Sequence, residues 1–399
     1  MTFDATSGRF YDDPWATYRW LRDNEPVYWD EANGLWVISR HEDVSLISRS
    51  PERYCSRFGV RPRNNVPLSI LTLDDPEHTR QRRLINRGFT PAHVRRLAPH
   101  IEEVTDRVIA EIEHRDEIDF VNDVAVHVPL IVIAELIGLD PDAREQLHKW
   151  SDAMVSGEGR EDPDDPLAKS AAVAFGEYVE HLLPLVEERR ANPRDDLISV
   201  LTTAYDEGAL DPGEAAALHR LDQLDSGELL MFLVALVVAG NETTRNAIAG
   251  GLLAFSRFPE QKQKLLDDPG LIDLAVEEVC RYVSPVLNFT RTVTEDHELH
   301  GRHLGAGDRV LMLYQSANRD ERVFDAPDEF RIDRDPNPHL AFGIGPHYCL
   351  GANLAKLEIK TVFSRLFARV GAIRAIDAPL RRAESALVLG IERLPARVR

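Results

Sequence analysis

The sequence predicts a mainly α-helical protein with small β-sheets, and three observations carry that expectation. Apolar residues recur at helical spacing from about residue 92 to residue 283. Within that region Glu228–Gly240 (ELLMFLVALVVAG) is apolar on every side, so as a helix it should run through the middle of the molecule. Strand-like alternation is confined to the two ends of the chain. Helices and strands are thus segregated rather than alternating, which argues against a βαβ architecture. At 399 residues the chain is within reach of one large fold, and a single domain over residues 1–399 is expected.

Two early strands fit PVYW (Pro26–Trp29) and LWVISR (Leu35–Arg40), both rich in β-branched and aromatic residues. RRLAPHIEEVTDRVIAEIEH (Arg95–His114) spaces Leu97, Ile101, Val104 and Val108 by four, three and four, which makes one apolar helix face. AREQLHKWSDAMV (Ala143–Val155) reads the same way. The glycines, prolines and acids of SGEGREDPDDP (Ser156–Pro166) cannot hold a helix, and this loop is expected to be a mobile lid. Leu167–Arg190 should be helical and bent at Pro184. Arg291–Tyr314 alternates and turns at glycines, as short strands do.

A net charge of -20 argues against a nucleic-acid partner. Cys55, Cys280 and Cys349 are odd in number and far apart, so no disulfide framework is implied and a reducing cytoplasm is the default. The first twenty residues lack the basic and apolar regions of a secretory signal. The apolar run Leu229–Gly240 is too short to span a bilayer, so no membrane partner is expected.

One loop concentrates unusual residues. HLAFGIGPHYCLGANLAKLE (His339–Glu358) sets Cys349 among Gly343, Gly345 and Gly351, ahead of a helical stripe at Leu350, Leu354 and Leu357. Glycines let a large ligand approach the backbone. A helix N-terminus favours a thiolate, and a thiolate so held is a ligand for haem iron, where it favours O–O cleavage. A buried cysteine acting as a small hydrophobe is the common alternative, and it suffices for Cys55 and Cys280.

Three further clusters are weaker alone. VAGNETTRN (Val238–Asn246) places Glu242 and Thr243 in a segment too apolar to welcome them. They could relay protons to bound oxygen, or Thr243 could bond back to the main chain at a helix end. Glu278 and Arg281 stand three apart on a helix face and could pair, as exposed neighbours commonly do. Between His78 and His100 lie six arginines and no acid, a cationic island suited to an acidic partner. HELHGRH (His297–His303) lacks the helical spacing of a zinc hydrolase, and GIGPHYCLG lacks the third glycine of a dinucleotide fingerprint.

Taken together, these residues resemble the cytochrome P-450 superfamily in its soluble bacterial form. The cysteine loop, the acid–alcohol helix and the Glu–x–x–Arg pair stand in that family's order, and Ala317–Arg334 (ANRDERVFDAPDEFRIDR) resembles its stretch before the haem loop. The likeness runs over nearly the whole chain. It implies the P-450 fold, with haem b between the central helix and the cysteine helix. It implies Cys349 as the axial thiolate, and His78, Arg82, Arg291 and His347 as partners of the haem propionates. Glu242 and Thr243 match the oxygen-activating pair, and Glu278 with Arg281 a structural pair; Asn241 falls where the family varies.

The wording AGNETTRN, SANRDERVF and NPHLAFG looks closest to actinobacterial members that oxidise sterols, steroids and branched lipids. The resemblance places Leu68, Ile70, Leu71, Ala235, Val238, Ala239, Val286, Leu287 and Phe289 around the pocket, with Trp150 and Met154 near its mouth. Nearly all are apolar, which suits a large apolar substrate. The implied function is a haem-thiolate monooxygenase that puts one atom of O2 into a C–H bond and releases the other as water. No flavin or nicotinamide site is visible, so electrons should come from a ferredoxin and its reductase, docking at Arg83, Arg87, Arg95 and Arg96. The rival readings are a peroxide-driven peroxygenase, a hydroxylase of fatty acids, terpenoids or polyketides, a haem protein that binds a lipid or sensor ligand without turnover, and a haem-free helical interaction protein; Glu242 and Thr243 argue against the peroxygenase and the non-turnover binder.

Overall fold

Strands from both ends of the chain close one sheet. In the computed structural model, which describes residues 3–62, 69–157, 160, 162–203 and 226–399, the five strands are β1 (Val27–Asp30), β2 (Leu35–Ile38), β3 (Tyr54–Cys55), β4 (Asn288–Val293) and β5 (Arg309–Leu313). Their order is β1-β2-β5-β4-β3, with β2 and β5 parallel and the other pairs antiparallel. The register sets Trp36 against Val310 and Ile38 against Met312. The C-terminal strand Pro395–Arg397 pairs with Glu117–Asp119 and Arg374–Ala375 in a second, three-stranded sheet. The expected early and late strands are therefore present, and HELHGRH forms an antiparallel hairpin.

The helices that build the site are α1 (Glu77–Ile85), α2 (Pro91–Ile112), α3 (His127–Ile137), α4 (Arg144–Ser156), α5 (Pro166–Ala191), α6 (Ser226–Arg257), α7 (Ile272–Val283) and α8 (Ala352–Arg369). Helix starts follow capping chemistry. Thr90 Oγ1 accepts the His93 N–H at 3.2 Å with Pro91 at the first helical position. Asp165 Oδ1 likewise accepts the Leu167 N–H at 2.7 Å ahead of α5. Pro184 does not break α5, which continues through it to Ala191.

The apolar segment extends much further than its composition suggested. Helix α6 has 32 residues, about 48 Å at 1.5 Å per residue, and continues well beyond Gly240. By length and composition Gly227–Arg257 is long and apolar enough to cross a membrane. In the fold it is instead packed by α3, α4, α5, α7 and α8. Its buried side chains Leu233, Val237, Ile248 and Leu252 join the main hydrophobic core with Ile133, Val279 and Phe363. Gly240 does not open the helix: a Cβ there would lie 3.1 Å from Ile133 Cδ1, so its smallness lets α3 approach.

Candidate functional site

The cysteine loop is built by its backbone. Gly343 and Gly345 take positive φ (67° and 78°), and a Cβ on Gly345 would sit 2.4 Å from the Ser48 carbonyl oxygen. The Cys349 N–H donates to the Phe342 carbonyl at 2.8 Å, which folds the loop back on itself. Helix α8 begins at Ala352, so Cys349 lies just ahead of it rather than inside its first turn. Cys55 and Cys280 are buried, whereas Cys349 is exposed. Protein crowding pushes the Cys349 thiol up, while the Gly351 N–H, the Arg82 and Lys356 charges and the Ala352 N–H oppose that rise.

Around this loop the fold gathers four basic side chains, His78, Arg82, Arg291 and the loop's own His347. The His78 and His347 rings meet at a tilt of 40°, with centroids 4.1 Å apart. Arg82 reaches the carbonyl of Tyr348, one residue before Cys349. Arg291, 6% exposed, has one hydrogen bond among the described residues, from Nη1 to the Thr290 carbonyl at 2.8 Å. His78 Nε2 is buried without a partner. Burial holds the His347 imidazole down at about 2, helped by the charges on Arg291, His78 and Arg82. Burial also lowers His78, with Arg82 adding to it. Buried cations without carboxylates are costly unless something anionic completes them. A planar dicarboxylate whose metal accepts a thiolate fits this donor set, and haem is such a group.

Helix α6 presents an accessible turn. Ala239 is exposed although it lies on the helix most surrounded by others. Thr243 Oγ1 donates to the Ala239 carbonyl at 2.7 Å, so the back-bonded reading of this threonine is realised within the helix, not at its end. Glu242 is 2% exposed and ion-paired with Arg245, and it accepts Asn246 Nδ2 at 2.8 Å. Arg245 also meets Asp152 of α4 at 3.1 Å. These partners explain how a helix this apolar carries so many polar groups without breaking.

Glu278 and Arg281 are not a surface pair. Both are fully buried. Arg281 grips both Glu278 oxygens (2.7 and 2.8 Å) and three carbonyls, those of Asn318, Pro327 and Glu329. Glu278 is further held by the Arg331 N–H at 2.8 Å, by Arg334 Nε at 3.2 Å and by Asn337 Nδ2 at 3.1 Å.

The pocket residues divide. Ala235, Val238, Leu71, Val286, Phe289 and Met154 are half-buried, Ala239 is exposed and Ile70 is buried in the main core. Leu287 departs from expectation: it is fully buried with Tyr18, Leu35 and Leu311 in the cluster between the sheet and the N-terminal segment. Trp150 is also core, 6% exposed, its ring tilted against those of Tyr178 and His181 and its indole N–H on Glu177 at 2.9 Å. An amphipathic ring with a hydrogen-bond partner pins α4 to α5 instead of lining a mouth. Leu68 lies outside the described residues, as do residues 158, 159 and 161 of the expected lid. Arg160 and Asp165, which are described, pair at 2.9 Å, so the charged loop has contacts that its composition did not suggest. Arg83, Arg87, Arg95 and Arg96 are exposed, as a docking patch requires, with Arg96 on His93 Nδ1 at 2.8 Å.

Sequence reading missed several groups. Arg245 and Asn246 stand three and four residues after Glu242, the spacing of one helix face, and were legible on that ground. Glu358 interrupts the buried stripe of α8, four residues after Leu354, and burial raises its carboxyl to about 8 with only the Thr244 hydroxyl opposing. Asp152, Arg334 and Asn337 carry no local signal.

Comparison with known proteins agrees with this geometry. Residues 270–370 match the family model described as Cytochrome P450. A steroid C26-monooxygenase of Mycolicibacterium smegmatis is 37% identical over 395 residues, 98% of this chain and 95% of that protein. A methyl-branched lipid omega-hydroxylase of Mycobacterium bovis is 36% identical over 381 residues, 91% of this chain and 84% of that protein. A Bacillus megaterium cytochrome P450 solved with corticosterone is 32% identical at a TM-score of 0.85, covering 97% of this chain and 98% of that one. A P450 fold with a haem-thiolate cofactor accounts for the cysteine loop and the buried basic cluster alike, and the chain belongs to the cytochrome P450 family, as a monooxygenase of the soluble bacterial type.

Proposed function

We propose that Cys349 is the thiolate ligand of the haem iron, with His78, Arg82, Arg291 and His347 holding the propionates. The observation that carries this assignment is that the exposed cysteine and four basic side chains, two arginines and two imidazoles, meet in one place. When bound, haem with this ligand supplies oxygen activation. Cys349→Ser should abolish the red-shifted band of the reduced carbon-monoxide complex; a mutant that keeps the band would overturn the assignment.

Thr243 and Glu242 serve that chemistry differently. With its own O–H committed to Ala239, the Thr243 oxygen accepts a hydrogen bond and so holds a proton-bearing group in place. Glu242 is the nearby acid that can move a proton. Thr243→Ala should keep consuming reductant while diverting oxygen to hydrogen peroxide. Unchanged product per reductant consumed would remove Thr243 from the mechanism.

The substrate is large and apolar, a steroid or branched lipid hydroxylated at an unactivated carbon. Ala235, Val238, Ala239, Leu71, Val286 and Phe289 support this reading, because they offer apolar contact and no charge; the named activities of the mycobacterial relatives point the same way. A spin-state screen of steroids, branched fatty acids and terpenoids tests it, and a set of binders confined to small polar molecules would refute it. Electrons come from a ferredoxin and its reductase in the cytoplasm, with Arg83, Arg87, Arg95 and Arg96 as the docking charges.

A further inference from the structure

The hairpin of strands His297–Leu299 and Arg302–Leu304 meets the short helix His41–Arg49 at three side chains that the oxygen chemistry does not use. Glu42 and Asp43 stand in the first turn of that helix, and His300 stands at the tip of the hairpin. One ligand-capable atom from each lies within 4.8 Å of the other two. His300 Nε2 is 2.9 Å from Asp43 Oδ1. Asp43 is 3% exposed, yet its second oxygen, Oδ2, is buried without a hydrogen-bond partner. Burial pushes this carboxyl up, the His300 hydrogen bond and charge oppose the rise, and the Glu42 charge adds to it. Acids in a first turn suit the helix dipole. That accounts for the exposed Glu42, but not for a buried oxygen that no donor reaches.

We propose that Glu42, Asp43 and His300 form a binding site for Zn2+, separate from the cysteine loop and its haem. One imidazole with two carboxylates is a donor set that Zn2+ takes with water in the fourth position. Mg2+ and Ca2+ prefer oxygen throughout and have no use for the imidazole. The cation bonds Asp43 through the oxygen that lacks a partner, takes a nitrogen of His300, and closes on Glu42 from the solvent side. It balances two negative charges at a place where burial makes the inner one costly. The same helix carries Ser48 in its last turn, and the Ser48 carbonyl lies against Gly345 of the cysteine loop. A bound ion therefore pins the hairpin to the helix that backs that loop.

The hairpin supplies a clean variant. His300 and Gly301 make a two-residue loop with positive φ at both positions (49° and 71°). Asn-Gly is the favoured pair in that geometry, so His300→Asn removes the imidazole and suits the turn. Calorimetric titration of the haem-loaded, chelator-treated protein with ZnCl2 should show one site per chain, with haem keeping Cys349 out of reach. His300→Asn and Asp43→Asn should each weaken that site by at least about tenfold, since outer-shell partners alone are worth that much. Glu42→Gln, a change at the exposed ligand, should weaken it roughly threefold. If Asp43→Asn does not fold, His300→Asn and Glu42→Gln decide the matter. MgCl2 at about a hundredfold higher concentration should not compete. Amide exchange over His41–Arg49 should slow a few-fold when zinc is added to the wild type, and stay unchanged in His300→Asn. Absence of a stoichiometric zinc site overturns the inference. So does equal zinc affinity in wild type and His300→Asn, which would put the ion elsewhere, and so does equal binding of Mg2+.

Discussion

Arg281 and Arg291 are both buried arginines, and they are built on opposite principles. Every N–H of Arg281 meets an acceptor: both oxygens of Glu278 and three main-chain carbonyls. Arg291 lies among His78, His347 and Arg82, all basic, and gives a hydrogen bond to one neighbouring carbonyl. A closed network of charges repays its desolvation inside the protein, whereas an incomplete one must be completed from outside. The difference separates structure from function more sharply than burial does, since the two guanidiniums are nearly equally buried.

The largest test sets these arginines against each other. Arg281→Met leaves Glu278 buried with its main partner gone and should cost about 3–5 kcal/mol in urea unfolding of the haem-free protein. Arg291→Met removes a buried cation that lacks a carboxylate, and should be neutral or stabilising within about 1 kcal/mol while haem retention is lost. Equal destabilisation by both would erase the comparison.

Glu358 is a third kind of buried charge, closed by keeping its proton. Its carboxyl titrates at about 8 in the fold against an ordinary 4.5, so between those values the native state binds more protons than the unfolded chain. Stability from this group is complete below about pH 4.5 and is lost as pH rises through about 8, at a slope approaching 1.4 kcal/mol per pH unit, roughly. Urea unfolding at pH 5.5, 7.0 and 8.5 should show this fall, and Glu358→Gln should flatten it. A mutant with the wild-type slope would show that Glu358 is ionised in the fold.

A smaller effect probes cations on the surface. Changing Arg83, Arg87, Arg95 and Arg96 together to Glu should lower ferredoxin association roughly tenfold at low salt, with little change in electron transfer within the complex. Added salt should shrink the difference, since exposed charges are screened beyond roughly 8 Å at physiological ionic strength. A salt-independent rate in the wild type would place the electron donor elsewhere. The smallest effect concerns the loop before α5. Amide exchange in its described residues, Arg160 and Asp162–Asp165, should slow a few-fold when a tight ligand binds, as in a lid; identical exchange with and without ligand would make the Arg160–Asp165 pair a static feature.

Much of this molecule was written locally. Steps of three and four set the helices, period-two alternation set the strands, and Gly343, Gly345 and Gly351 around Cys349 marked a loop made for a ligand. Glu278–Arg281 was visible as a spacing, yet looked like an exposed pair, because the residues that bury and complete it, Arg334, Asn337 and the carbonyls from Asn318 to Glu329, lie dozens of positions away. Trp150 and Leu287 read as pocket and proved to be core for the same reason: an apolar residue's periodicity says that it is covered, and only the neighbouring elements say by what. The sequence by itself determined the elements, the cysteine loop and the family, since these depend on residues within one or two turns of each other. Tertiary structure alone decided which buried charges were closed and which were left open, because a charge's partner in low dielectric is chosen by distance in space, and helical spacing carries no record of it.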